Sequence, residues 1–588
     1  MISKTNQDAK PNSIPTDISA VFNDTLVKHE LLAKALFERP NSLSEFLPYE
    51  EYLPEFGLFR QKDGSLGCVY SVELTEHESK NSQEIVSLLE NLRVWFRFTE
   101  EFTLSLLFEQ TRISAHDSSW ETLIRAEDRQ RDDIPAKLHL AQIKRLRQTE
   151  EAQEGKKSSP LPLKRRLFVS IRYFGEKSTR LSHTRHMNRA RQLGRELLNP
   201  NQTLSFEVEA FVKQLRSFNY VLSQFEMSSP LKVKRLDATA LADFLRQTFN
   251  PVTYFKRPFA AVNPNLSLSQ QVIFCPATLD HPGIEREGIR TRTLSLKNAP
   301  SFAYPGAMAY FLSLKFPFRI CLNISFPSSS SVKKHFGVKE FFLQNTPSAR
   351  SRRQKAEIDL LQEKLVRDDK VLQMTFFVLL EGSSDEELDI QTKECLVRFQ
   401  QRLECEALVE TDIGFGLWLN ALPLNYHPIA DYTSKRSIRI LSSDIVHFCP
   451  VFDSYRGCQP SQAQSLFLSR ENGLVPFGLK TTGNSHMTAV LGDTGSAKSG
   501  QVIKLLLGEL RRDPKPLIFV IDYKTSYGML SQYLPSELTS FERGKPMPFS
   551  PFRGEPNEDK IRFLVQLLAS AMQLTSPNFN WNQNIEPV

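Results

Sequence analysis

Leu491-Gly492-Asp493-Thr494-Gly495-Ser496-Ala497-Lys498-Ser499 decides how this chain is read, because it follows the phosphate-loop pattern G-x-x-x-x-G-K-[S/T] in all but one letter. Such a loop wraps backbone N–H groups around nucleotide phosphates. Its lysine lies against the β/γ oxygens and its final hydroxyl ligates Mg²⁺. Gly492, Lys498 and Ser499 occupy pattern positions, and Gly495 adds freedom inside the loop. Ala497 stands where the pattern has glycine. If that position needs φ > 0, its methyl costs about 1 to 2 kcal/mol. The candidate nucleotide-binding residues are therefore Gly492, Asp493, Thr494, Gly495, Ser496, Ala497, Lys498 and Ser499, with Ser499 the candidate Mg²⁺ ligand. The expected ligand is Mg-ATP, bound more weakly on account of Ala497.

The flanking residues support this reading. His486 to Leu491 (HMTAVL) has the composition of a short buried strand. Ser499 to Arg512 has helical periodicity, with Val502, Ile503, Leu505, Leu506 and Leu510 on its apolar side. After the Pro514-Lys515-Pro516 break, the run Leu517 to Ile521 (LIFVI) predicts a second strand ending in Asp522, which completes a β-α-β unit.

The other bounds are looser. With 588 residues the chain has room for several domains, and its 40% hydrophobic content fits a globular protein. A net charge of +7 is spread along the sequence, so it argues for neither nucleic acid nor anionic lipid. The cysteines at 68, 275, 321, 395, 405, 449 and 458 form no C-x-x-C pair and no zinc spacing, which predicts reduced, structural thiols. The opening MISKTNQDAKPNSIPTD lacks the apolar core of an export signal, and no uninterrupted run of 18 apolar residues occurs. A cytoplasmic protein, attached to a membrane only through partners, is the expectation.

Working back from the loop, residues 1–44 form a flexible lead-in, 45–425 an α/β region of two possible lobes, 426–474 a linker and 475–588 a partial P-loop domain. The Asp63-Gly64 turn between Gly57–Arg60 and Leu66–Leu74 predicts a hairpin. A helix over Ser82–Phe98 and a strand over Phe102–Phe108 follow, then a charged, solvated helical arm over Trp120–Lys157 and a strand over Leu167–Phe174. Strand Val371–Leu380, helix Asp385–Leu403 and strand Ala407–Thr411 repeat the order strand, helix, strand.

Several segments, in order, resemble the conjugative-transfer ATPases of type IV secretion systems, the TraC, TraU and TrbE group. They are Phe46-Leu47-Pro48-Tyr49 with Asp63-Gly64-Ser65-Leu66, Leu419-Asn420-Ala421-Leu422-Pro423, Pro476-Phe477-Gly478-Leu479, Ile521-Asp522-Tyr523-Lys524-Thr525-Ser526-Tyr527 and Pro548-Phe549-Ser550-Pro551-Phe552. The resemblance implies an N-terminal α+β docking region followed by a RecA-like motor domain, here incomplete. It also implies channel components as partners, a place at the cytoplasmic side of the inner membrane and, if the motor is complete, a homo-oligomer. Direct DNA contact stays open.

The resemblance also implies a Walker B strand ending in acidic residues. None follows Leu530, and Asp522 sits too soon after the loop helix to serve. The expectation is the N-terminal portion of such an ATPase, truncated or split and deficient in hydrolysis by itself. One alternative is a noncatalytic docking or assembly component, and another is a DNA translocase of the FtsK or HerA type. His427, His447 and His486 are expected to be packing or surface residues, Lys164-Arg165-Arg166 and Arg350-Ser351-Arg352-Arg353 solvated surface, and Phe376 and Phe377 core.

Overall fold

The Asp-Gly turn forms the predicted hairpin: strands β2 (Leu58–Gln61) and β3 (Leu66–Val72) pair antiparallel, with Gly64 at φ +81° in the turn. The computed structural model describes residues 42–575 except 115, 118, 125, 149–161, 176–199, 281–282, 299–303, 334–357, 359–362, 366–368, 480–486, 494, 524–525, 543 and 547–549. Two compact units result, one running to Arg131 and over Ala136–His486, the other holding Asp132–Pro135 and Met487–Val588.

The first unit is built on a 13-stranded antiparallel sheet among the described residues. Its strands are β1 (Tyr49–Leu53), β2, β3, β5 (Phe102–Arg112), β6 (Leu163–Tyr173), β7 (Val233–Arg235), β8 (Ala277–Asp280), β9 (Gly283–Arg286), β10 (Ile289–Leu296), β11 (Phe318–Ser325), β12 (Val371–Gly382), β13 (Ala407–Val409) and β14 (Ile438–Leu441). The main path runs β1-β2-β3-β6-β5-β11-β12-β10-β9-β8, with β7 on β3, β13 on β10 and β14 on β12. In chain order, β3, β5, β6 and β7 lie as fourth-first-third-second, and β10, β11, β12 and β13 mirror that order. Each set is a split β-α-β arrangement. The two sets join through their second strands, with Leu107 opposite Cys321 in the β5–β11 ladder.

Both faces of this sheet are covered. Helices Ser82–Leu92, Pro200–Ser228 and Asp385–Arg402, with the 3₁₀ segment Ala307–Ser313, pack on one face. Helices Ala238–Phe249 and Gly414–Asn420 pack on the other. A strand buried on both sides carries a near-continuous apolar run instead of alternation, which is why β12 reads VLQMTFFVLL, broken only by Gln373 and Thr375. Its Leu372, Met374, Phe376, Val378 and Leu380 point to the first core, and Phe377 and Leu379 to the second. Asn81 and Glu84 make a capping box on helix Ser82–Leu92, a device worth about 1 kcal/mol.

Residues 426–474 are built into the first unit. β14 pairs with β12, and Ile445, Val446, Phe448, Cys449, Val451 and Phe452 lie in the first core. β15 (Phe452–Asp453) pairs in parallel with β4 (Thr75–Glu76), and β16 (Ser465–Leu468) pairs with β17 (Leu474–Phe477). The charged arm is not fully solvated. Trp120 and Ile143 are buried in a small cluster with Ile113 and Leu466, while Leu138 is half exposed. Lys164-Arg165-Arg166 is likewise not open surface, since these residues lie inside β6 and the Arg165 side chain is only 2% exposed.

In the second unit the described secondary structure is helical: Lys498–Glu509, Gly528–Tyr533 and Glu558–Thr575. The strands expected on either side of the loop are not formed among the described residues. Residues 487–491 and 517–521 take part in no ladder, and Met487, Leu491, Leu517, Phe519 and Ile521 are 89% exposed or more. A strand needs a hydrogen-bonded neighbour, and neither run has one. The described residues therefore show a mixed α/β protein on an antiparallel sheet, and no RecA-like sheet.

Candidate functional site

Helix Lys498–Glu509 starts one residue after Ala497, and that junction shapes the loop. Ala497 adopts φ +59°, ψ +28°, the left-handed conformation that disfavours a Cβ. Its carbonyl already accepts the first helical bond, from Gln501 N at 3.1 Å. Gly495 is also left-handed, at φ +86°, and a Cβ there would meet nothing within 4 Å, so only the backbone angle calls for glycine. At Gly492 the requirement is steric: a Cβ would come within 2.6 Å of Ser496 Oγ. Ser496 N donates to the Asp493 carbonyl at 3.2 Å and closes the turn.

The Lys498 ammonium folds back over this turn. It donates to the Asp493 carbonyl at 2.7 Å and to the Gly492 carbonyl. Gly492, Asp493, Gly495, Ser496 and Lys498 thus converge on one exposed loop, with Ser499 in the first turn of the helix. Thr494 and His486 lie outside the described residues. Asp522 does not join the loop contacts just given; its carboxylate accepts the Tyr527 backbone N–H at 2.8 Å and shapes the turn before helix Gly528–Tyr533.

In the first unit, segments far apart in sequence meet. Tyr49 donates its hydroxyl to the Pro423 carbonyl at 2.5 Å, and Leu47, Leu419 and Leu422 share its core. Arg172 then ties the hairpin turn to the same place. Its guanidinium binds Asp63 at 2.5 Å, Ser65 Oγ at 2.8 Å and the carbonyls of Leu424 and Tyr426 at 3.1 and 3.2 Å. Burial works against the Asp63 carboxylate, but Arg172 and Ser65 hold its pKa below the ordinary value. His427 packs edge-on against Phe174 at 4.9 Å, a packing role as expected.

Sequence reasoning missed a buried ionic chain that crosses the centre of the sheet. Arg166 pairs with Glu109, Glu109 with Arg319 at 3.5 Å, and Arg319 and Arg286 both bind Glu381 at 2.9 Å. Burial raises the Glu381 pKa, yet the two guanidiniums outweigh it and hold the carboxyl below its usual range. The available signal was a charged residue set within an apolar strand, as with Glu109 in β5 and Arg319 in β11.

Among the described residues no cluster of three or more His, Cys, Asp or Glu side chains could hold a metal, and no helix is long and apolar enough to cross a membrane. The cysteines form no disulfide, and five of the seven are buried. The protein is thus a sheet-based α/β protein carrying a lysine-closed loop at a helix start. Residues 43–426 match the family described as TraC protein, and the chain belongs to that family, a component of conjugative type IV secretion. The matched span covers every strand of the sheet but β14 and ends before the loop. No curated protein matches the chain.

Proposed function

We propose that this protein serves the conjugation apparatus as the docking and nucleotide-binding portion of a secretion ATPase. The sheet unit engages channel components at the cytoplasmic side of the inner membrane, and residues 492–499 hold Mg-ATP. The observation that carries the loop assignment is the posture of Lys498. An ammonium held by the Gly492 and Asp493 carbonyls lies over the loop's own turn, where a β- or γ-phosphate can take it over as a stronger, anionic acceptor. The exposed loop and the space beside Gly495 leave room for phosphate.

In this reading Gly492 allows the turn to close, loop N–H groups not used in that turn bind the phosphates, Lys498 neutralises them and Ser499 lends its hydroxyl to Mg²⁺. The order of loop, helix and second apolar run supports a RecA-like motor domain. Phosphoryl transfer also needs acids that order Mg²⁺ and water. The residues assigned here provide the cradle, the lysine and one metal ligand, so the function we assign them is binding.

The test is DNA transfer from donor cells whose own copy of this gene is deleted. Supplying the full chain should restore transfer, and supplying Lys498→Ala should not. Full transfer with Lys498→Ala would make the loop dispensable and leave a docking component.

A further inference from the structure

The sheet has a notch that strand pairing leaves open. β3 runs beside β6 from Leu66 opposite Tyr173 to Val72 opposite Leu167, and then departs at Glu73 towards β4. β6 continues to Leu163 with β5 along its other edge, and on the β3 side it is met only at its end, where Leu163 bridges to Gly473 and its N–H donates to the Asn472 carbonyl at 2.8 Å. The segment 229–235 folds back and adds β7 to β3. Between these elements lies a cavity of about 970 Å³, bordered by six cationic side chains: Arg165, Arg166, Lys232, Lys234, Arg235 and Arg456.

The carboxylates beside these cations are fewer and partly shared. Asp453 serves both Arg165, at 3.2 Å, and Arg456, at 2.8 Å. Glu109 serves Arg166 but also Arg319, which lies outside the cavity lining. Glu226 takes Arg235 at 2.5 Å, and Glu73 stands 3.5 Å from Lys232, whose side chain is 88% exposed. Lys234 has no side-chain partner among the described residues. The arginines are held in place by further bonds: Arg165 to Gln110, Ser454 and the Glu471 carbonyl, and Arg456 to the Leu74 carbonyl. The result is a rim of four guanidiniums fixed by bonds within the protein, with excess positive charge and one uncommitted ammonium, that of Lys234. Fixed positive charge beside exposed lysine donors suits a tetrahedral oxyanion, and the volume suits a small ligand better than a macromolecular strand.

We infer that this notch binds a small, multiply charged anion of the phosphate class, at a site separate from the 492–499 loop. Inorganic tripolyphosphate is the probe. It is titrated calorimetrically into the full chain carrying Lys498→Ala, which silences the loop lysine, so the outcome does not depend on the nucleotide assignment. Saturable binding is expected, weakened about tenfold when Lys232→Glu and Lys234→Glu are added and falling as salt is raised. Both lysines are exposed, so the reversal leaves the core intact; Lys234→Ala, a milder change, should weaken binding in the same direction. Absence of saturable binding, or equal affinity in the charge-reversed and parent chains, would overturn the inference.

Discussion

Ala497 is where sequence and conformation meet most directly. The pattern asks for glycine, and the backbone at φ +59° shows why: a Cβ in the left-handed region costs about 1 to 2 kcal/mol. Ala497→Gly removes that cost and is expected to tighten Mg-ATP binding by about tenfold, equivalent to about 1.4 kcal/mol. Calorimetric titration of the two proteins checks it, and equal affinities would mean the loop absorbs the methyl without penalty. This residue was legible because a glycine pattern encodes backbone angles. Arg165 was not: Lys164-Arg165-Arg166 has the composition of a surface turn, and only the contacts with Asp453, Ser454 and Gln110, distant in sequence, reveal it as buried.

At the scale of elements, strands and helices with strong local signals formed where the pattern put them. The hairpin over 58–72, β12 and helix Asp385–Arg402 are examples. Order within the sheet was not legible, because pairing β5 with β11 joins residues more than 200 positions apart and leaves no local trace. The apolar runs at 487–491 and 517–521 show the converse. Composition predicts a strand, but a strand exists only with a neighbour. The ionic chain across β5, β11, β12 and β9 gives an element-level prediction. Glu381→Gln would leave Arg286 and Arg319 buried without their shared carboxylate, at a cost of about 3 to 5 kcal/mol. Urea denaturation should show a clearly lower midpoint for this variant; an unshifted midpoint would show that water or a rearranged partner compensates.

For the whole molecule, stability should depend on pH through Asp431. This carboxyl is 3% exposed, accepts Thr375 Oγ1 at 2.6 Å and Tyr426 OH at 2.5 Å, and has its pKa pushed up from 3.8 to about 6 by burial, against the pull of those hydroxyls. A folded-state value above the unfolded one means that protonation favours the fold. The contribution is fully present below about 3.8 and is lost as pH rises through about 6. Asp431→Asn should flatten that part of the stability profile, by up to roughly 3 kcal/mol between the two limits. Identical slopes for parent and variant would remove Asp431 as the source.

Family membership rests on the sheet unit, and nucleotide binding on a loop outside the matched span, so one experiment bears most directly on their combination. Mg-ATP is titrated into the full chain and into Lys498→Ala. Saturable, Mg²⁺-dependent binding to the parent chain is expected, and so is its loss in the variant. Binding of equal strength in both, or none in the parent, would contradict it.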